Sequence, residues 1–127
     1  MADGNRASVR IALADDEVDV RTTFVMLLER LGHKVVYAAA NGAELLEQNL
    51  NSDDVDIVFV DLDMPVMDGL AAAEEIERKG IPVVLVSGHP DSASVVVDQE
   101  PVVMRILKPA SIESVQQAIE QALAARR

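Results

Sequence analysis

Four short polar stretches stand at the ends of apolar runs in this chain, and their residue types could do metal chemistry. Asp15, Asp16 and Glu17 follow Val9–Ala14, and Asp61 follows Ile57–Val60. Ser87 follows Pro82–Val86, and Lys108-Pro109 follows Met104–Leu107. Each stretch also has an ordinary structural reading. An Asp pair ahead of a helix serves as a cap and complements the dipole, and an Asp after a strand is a common turn residue. Ser87-Gly88 reads as a turn and Lys108-Pro109 as a loop. Together they supply carboxylates, a hydroxyl and an ammonium. Gathering the carboxylates of Asp15, Asp16 and Asp61 in one place is costly unless a cation neutralises them. One lysine cannot offset that cluster, so a hard divalent cation with oxygen ligands is its natural completion.

The elements between these stretches decide whether they meet. The runs Val9–Ala14, Lys34–Ala38, Ile57–Val60, Pro82–Val86 and Met104–Leu107 read as strands. Several are apolar at consecutive positions, as parallel strands covered on both faces are. Helical periodicity fills the intervals at Val18–Leu31, Ala43–Leu50, Leu70–Lys79 and Ile112–Ala125, with Gly32 a C′ residue and Ser111 an N-cap. A further helix is expected over Asp91–Glu100, short or irregular because Val95-Val96-Val97 is β-branched throughout. Asn51–Asp56 reads as a solvated polar loop. Five β/α units in series predict a doubly wound five-stranded parallel sheet with helices on both faces. In such a sheet ligands bind beyond the carboxyl ends of the strands, where strand order reverses. The polar stretches lie there. The second strand, at an edge, ends in Ala38-Ala39-Ala40 and contributes none.

Composition narrows the function classes. The 127 residues allow one domain, expected over 9–125 with tails at 1–8 and 126–127 and no output domain in the chain. Net charge is −11 and the pI about 4.4, with aromatics at 2% and no Trp. Such a surface repels phosphate backbones and anionic lipid and offers little for base stacking, which argues against nucleic acid and membrane partners. There is no cysteine, which excludes thiol chemistry and Cys-ligated metals. No signal peptide and no apolar run of about 20 residues is present, so the expected location is the cytoplasm.

The sequence resembles the receiver domain of two-component response regulators over about Val9 to Ala125. The resemblance is carried by Ala14-Asp15-Asp16-Glu17, by Val60 through Gly69, by Val86-Ser87-Gly88-His89 and by Leu107-Lys108-Pro109. It implies a flavodoxin-like strand order of 2-1-3-4-5. It implies that Asp61 is a phosphoacceptor, attacking a phosphohistidine on a sensor histidine kinase or phosphotransfer protein. Asp16 and Asp61 would ligate Mg²⁺ directly with the backbone carbonyl of Asp63, and Asp15 would act through a water. Lys108 would pair with the phosphoryl oxygens, and Ser87 would bond to one of them after modification. The Lys108–Pro109 peptide would be cis. Such a protein catalyses its own phosphorylation and dephosphorylation without being a turnover enzyme.

The chain departs from the family pattern at three places. Arg105 stands three residues before the lysine, where receivers carry a switch Tyr or Phe. Burying an unpaired guanidinium is costly, so Arg105 is expected on the surface formed by the fourth helix, fifth strand and fifth helix. There it would pair with Asp98, Glu100 or a partner's carboxylate. Gln99-Glu100-Pro101 replaces the usual small residues before the fifth strand. Asp63 adds a carboxylate two residues beyond the acceptor.

Two other readings compete. A degenerate receiver would act as a phosphorylation-independent interaction module, but the acidic pair, the acceptor and the lysine are all retained. Haloacid dehalogenase-like phosphatases also use an Asp nucleophile, and Asp61-Leu62-Asp63 mimics their motif. Their acidic pair, however, comes last in the chain, and Pro65 breaks their pattern. The expected partners are therefore the kinase or phosphotransfer protein, a downstream protein target, and a second copy through the helix 4, strand 5 and helix 5 face.

Overall fold

The computed structural model describes residues 8–48, 50–61, 68–87, 102–107 and 111–125. Five strands form one sheet: β1 (Arg10–Ala14), β2 (Lys34–Ala39), β3 (Ile57–Asp61), β4 (Val83–Ser87) and β5 (Val102–Leu107). The order is β2-β1-β3-β4-β5, and every neighbouring pair is parallel. Four helices are described: α1 (Val18–Arg30), α2 (Gly42–Glu47), α3 (Asp68–Arg78) and α4 (Ile112–Ala125). The expected Asp91–Glu100 helix, the terminal tails before residue 8 and after residue 125, and the Lys108–Pro109 peptide lie outside the described residues.

The apolar runs form strands because their alternate residues feed two cores. Ala12, Ala14, Val58, Val60, Val83 and Leu85 pack with Leu45 of α2 and with Ala73 and Ile76 of α3. Ile11, Leu13, Ile57, Phe59, Val84 and Val86 pack on the other face with Leu28 of α1 and with Val115, Ala118 and Ile119 of α4. Burial on both faces explains why β1 and β3 read as continuous apolar runs. Phe24 of α1 meets Phe59 edge to face at 5.1 Å, a geometry worth roughly 1 kcal/mol beyond area burial.

β2 breaks phase. Ile11 pairs with Val35 and Ala12 with Tyr37, leaving Val36 as the extra residue of a bulge. Val35 and Ala38 therefore share one core while Tyr37 and Ala39 join the other, which an unbroken period of two forbids. The bulge delivers Ala39 opposite Ala14, at the sheet end that carries the polar residues.

Helix ends follow local chemistry. Gly32 (φ +95°) and Gly80 (φ +83°) end α1 and α3 in the left-handed region that favours glycine. The Asn41 side chain accepts from the Glu44 N–H at 2.8 Å, and Glu44 Oε1 accepts from Ala40 N–H at 2.7 Å, which starts α2. Ser111 Oγ accepts from Ser114 N–H at 3.1 Å, confirming it as the cap of α4. α2 ends at Glu47, short of the expected Leu50.

Asn51–Asp56 is more than a solvated loop. Val55 is fully buried. Asp56 Oδ2 accepts from the backbone N–H of Arg10 at 2.8 Å, and its carboxylate meets the Arg10 guanidinium at 3.1 Å. The Asp53 carbonyl accepts from the same guanidinium. The hydrogen bond to Asp56 raises the Arg10 pKa above its ordinary value, with desolvation opposing it. This ion pair fastens the entry of β1 to the entry of β3.

Candidate functional site

Alternation brings the site together. In β1 and β3, Ile11, Leu13, Ile57 and Phe59 share one face, and Ala14 pairs with Val60. The next residues, Asp15 and Asp61, therefore fall side by side in the same phase at the carboxyl end of the central strands. Asp61 is 2% exposed and Asp15 4% exposed, the buried charged residues among the described residues. One carboxylate oxygen from each of Asp15, Asp16 and Asp61 lies within 4.8 Å of the others. Asp16 is the most exposed of the set.

The loop that carries the acidic pair is fixed by its backbone. Asp15 N–H donates to the Ala39 carbonyl at 3.0 Å, so the apolar end of β2 contributes through its main chain. Asp15 Oδ1 accepts from Glu17 N–H at 2.9 Å, an Asx turn. The residue at the N-cap of α1 is Glu17, and no side chain caps that helix. Asp15 thus satisfies the N–H of the N-cap residue with one oxygen while a carboxylate oxygen of each of Asp15 and Asp16 lies near Asp61.

Donor chemistry matches a hard cation. Three carboxylates, all oxygen donors, converge from two adjacent strand ends. Two of them are buried, and a divalent ion placed among them would relieve their mutual repulsion. Mg²⁺ keeps several waters and needs few protein ligands.

The sheet register places the remaining candidates by backbone. Asp61 pairs with Val86, and Ser87 pairs with Leu107, the residue before Lys108. Ser87 thus ends β4 one residue beyond the level of Asp61. Arg105 pairs with Leu85 in β5. Lys108 and Asp63 lie outside the described residues, as do the side chains of Ser87 and Arg105.

The sequence profile of the response regulator receiver domain matches residues 11–120. The chain belongs to this family. The receiver is 35% identical over 118 residues to the transcriptional regulatory protein GlrR of Escherichia coli, covering 89% of this chain and 26% of that protein. It is 36% identical over 89 residues to the CAI-1 autoinducer sensor kinase/phosphatase CqsS of Vibrio cholerae, covering 66% of this chain and 13% of that one. The receiver thus spans about a quarter or less of the length of these curated relatives. Among solved structures, a response regulator receiver domain protein of Clostridium thermocellum superposes with a TM-score of 0.81 at 25% identity, covering 93% of this chain and 96% of that one.

One residue near the site went unnoticed in the sequence. Arg21 Nη1 donates to the Asp15 carbonyl at 2.8 Å. A signal existed, because a cation near the start of a helix opposes the dipole and calls for another reason to be there.

Proposed function

We propose that this receiver accepts a phosphoryl group on Asp61 from a phosphohistidine of a sensor histidine kinase or phosphotransfer protein. The convergence of the Asp15, Asp16 and Asp61 oxygens within 4.8 Å at the carboxyl end of the central strands carries this reading. An Asp61 carboxylate oxygen attacks phosphorus; the new P–O bond forms as the P–N bond breaks, and its electron pair returns to the departing imidazole. Water attack on phosphorus later releases inorganic phosphate and restores the carboxylate. Asp16 and Asp61, with the Asp63 carbonyl, would hold Mg²⁺ directly and Asp15 would do so through water. When bound, the ion supplies charge neutralisation at the transferring phosphoryl oxygens. Lys108 would pair with those oxygens. Ser87, at the end of β4, bonds to one of them and draws its loop inward.

The output is a protein contact or passage of the phosphoryl group along a relay. Val18 and Ile112, which begin α1 and α4 at the site end of the sheet, are 61% and 53% exposed. They offer exposed apolar anchors at that end of the sheet. No helix among the described residues is long and apolar enough to cross a membrane. With Arg105 in the switch position, the signal travels through the β4 loop and surface charge in place of ring packing.

Acetyl phosphate with Mg²⁺ tests the chemistry. The expected product is one phosphoryl group on Asp61, labile to base and hydroxylamine, and absent from Asp61→Asn or after chelation. Undiminished labelling of Asp61→Asn refutes the assignment. Sustained turnover of a generic aryl phosphate favours the phosphatase reading, and partner binding without any labelling favours the degenerate receiver.

A further inference from the structure

Arg21 is half-buried on α1, and its two ends do different work. Its backbone N–H donates to the Glu17 carbonyl at 2.8 Å, the first bond of the helix. Its guanidinium reaches back past the helix start and donates to the Asp15 carbonyl, also at 2.8 Å. Asp15 is therefore held by its N–H to Ala39, by Oδ1 to Glu17 and by its carbonyl to Arg21. The carbonyl belongs to the peptide that joins Asp15 to Asp16. Its orientation sets where the Asp16 carboxylate starts.

Electrostatics alone disfavours this arrangement. A cation near a helix N-terminus opposes the dipole, and a guanidinium next to a cation site repels the incoming ion. The arginine is useful there only if fixing the peptide contributes more than the repulsion costs. A charge-assisted hydrogen bond to a half-buried carbonyl is strong enough to do that.

We propose that Arg21 is a positioning residue that fixes the Asp15–Asp16 peptide so that the three carboxylates converge on Mg²⁺. This rests on the reading above that the cluster takes a divalent cation. It does not depend on phosphoryl transfer being observed.

The test is a Mg²⁺ titration of the full chain, followed by the amide NMR shifts of Asp15, Asp16 and Asp61, with melting measured in EDTA. Arg21→Ala should weaken Mg²⁺ about tenfold, equivalent to ~1.4 kcal/mol. Arg21→Met keeps the packing of the stem, removes the donor and should weaken Mg²⁺ similarly, which carries the test should the alanine variant fail to fold. Arg21→Lys retains one charged donor and should recover affinity to within roughly threefold of wild type. A lowered Tm in EDTA with unchanged Mg²⁺ affinity makes Arg21 structural only and overturns the proposal. Equal or tighter binding in Arg21→Met overturns it as well, since repulsion then dominates. If wild type itself shows no Mg²⁺-dependent shift at the three amides, the cation reading fails first and takes the positioning role with it.

Discussion

The two ends of the sheet handle acidic residues in opposite ways. At the entry end, Asp56 meets a resident cation: its carboxylate bonds to the Arg10 guanidinium and to the Arg10 backbone N–H, and the Asp53 carbonyl joins them. At the exit end, Asp15, Asp16 and Asp61 are gathered with one another, two of them buried. The entry end uses charge to fasten β1 to β3. The exit end concentrates like charge, which opposes folding until a cation arrives. One fold thus places its electrostatic stabilisation and its electrostatic strain at opposite ends of the same two strands.

The sharpest way to break this comparison is to remove Asp56. Asp56→Ala strips a charged acceptor from the Arg10 backbone N–H and guanidinium together. Tm should fall by about 5 °C or more, while the Mg²⁺-induced rise in Tm stays at its wild-type size. A variant that loses both would show that the two ends are coupled through the strands.

The exit end should respond in the reverse sense. Mg²⁺ at ten times its Kd should stabilise the chain by about 1.4 kcal/mol, a rise of roughly 4–7 °C for a domain of this size. Asp16→Asn should remove most of that rise. Asp61→Asn should raise the metal-free Tm, because it relieves repulsion where burial is deepest. Melting scans with and without Mg²⁺ check all three outcomes. A metal-free Tm that drops in Asp61→Asn would mean the carboxylate stabilises the fold instead of straining it.

What was legible in the sequence follows the same division. Asp15, Asp16 and Asp61 could be found because each directly follows an apolar run, and strand ends are where an open parallel sheet binds its ligands. The two-sided burial of β1 and β3 was equally visible, because period and apolarity are local properties, whereas the strand order came from the family resemblance. The Arg10–Asp56 pair was not, since its members are 46 residues apart and meet only once the register of β1 on β3 is set. The β2 bulge at Val36 was hidden for a related reason: Lys34–Ala39 carries apolar residues in both phases, so alternation could not say where the phase changes. Arg21 was overlooked because its partner is a main-chain carbonyl, which leaves no mark in residue type. The early end of α2 turns on a few residues of marginal helix, where Asn51 starts its own turn by accepting from Asp53 N–H.

Proximity to the exit end is not itself a sign of function, and Ser111 measures that. It caps α4 just after β5, where its Oγ accepts from Ser114 N–H and Ser114 Oγ accepts from Ser111 N–H at 3.0 Å. This reciprocal, exposed arrangement satisfies donors that the helix leaves open. Ser111→Ala should cost about 1 kcal/mol, a loss of roughly 3–5 °C in Tm. Ser111→Asp, which keeps an acceptor and complements the helix dipole, should restore most of it. Neither variant should change the Mg²⁺-dependent rise, because the cap bonds within α4 and touches none of the three carboxylates. A Ser111→Ala variant with normal Tm but a weakened Mg²⁺ response would move this serine from the helix to the site.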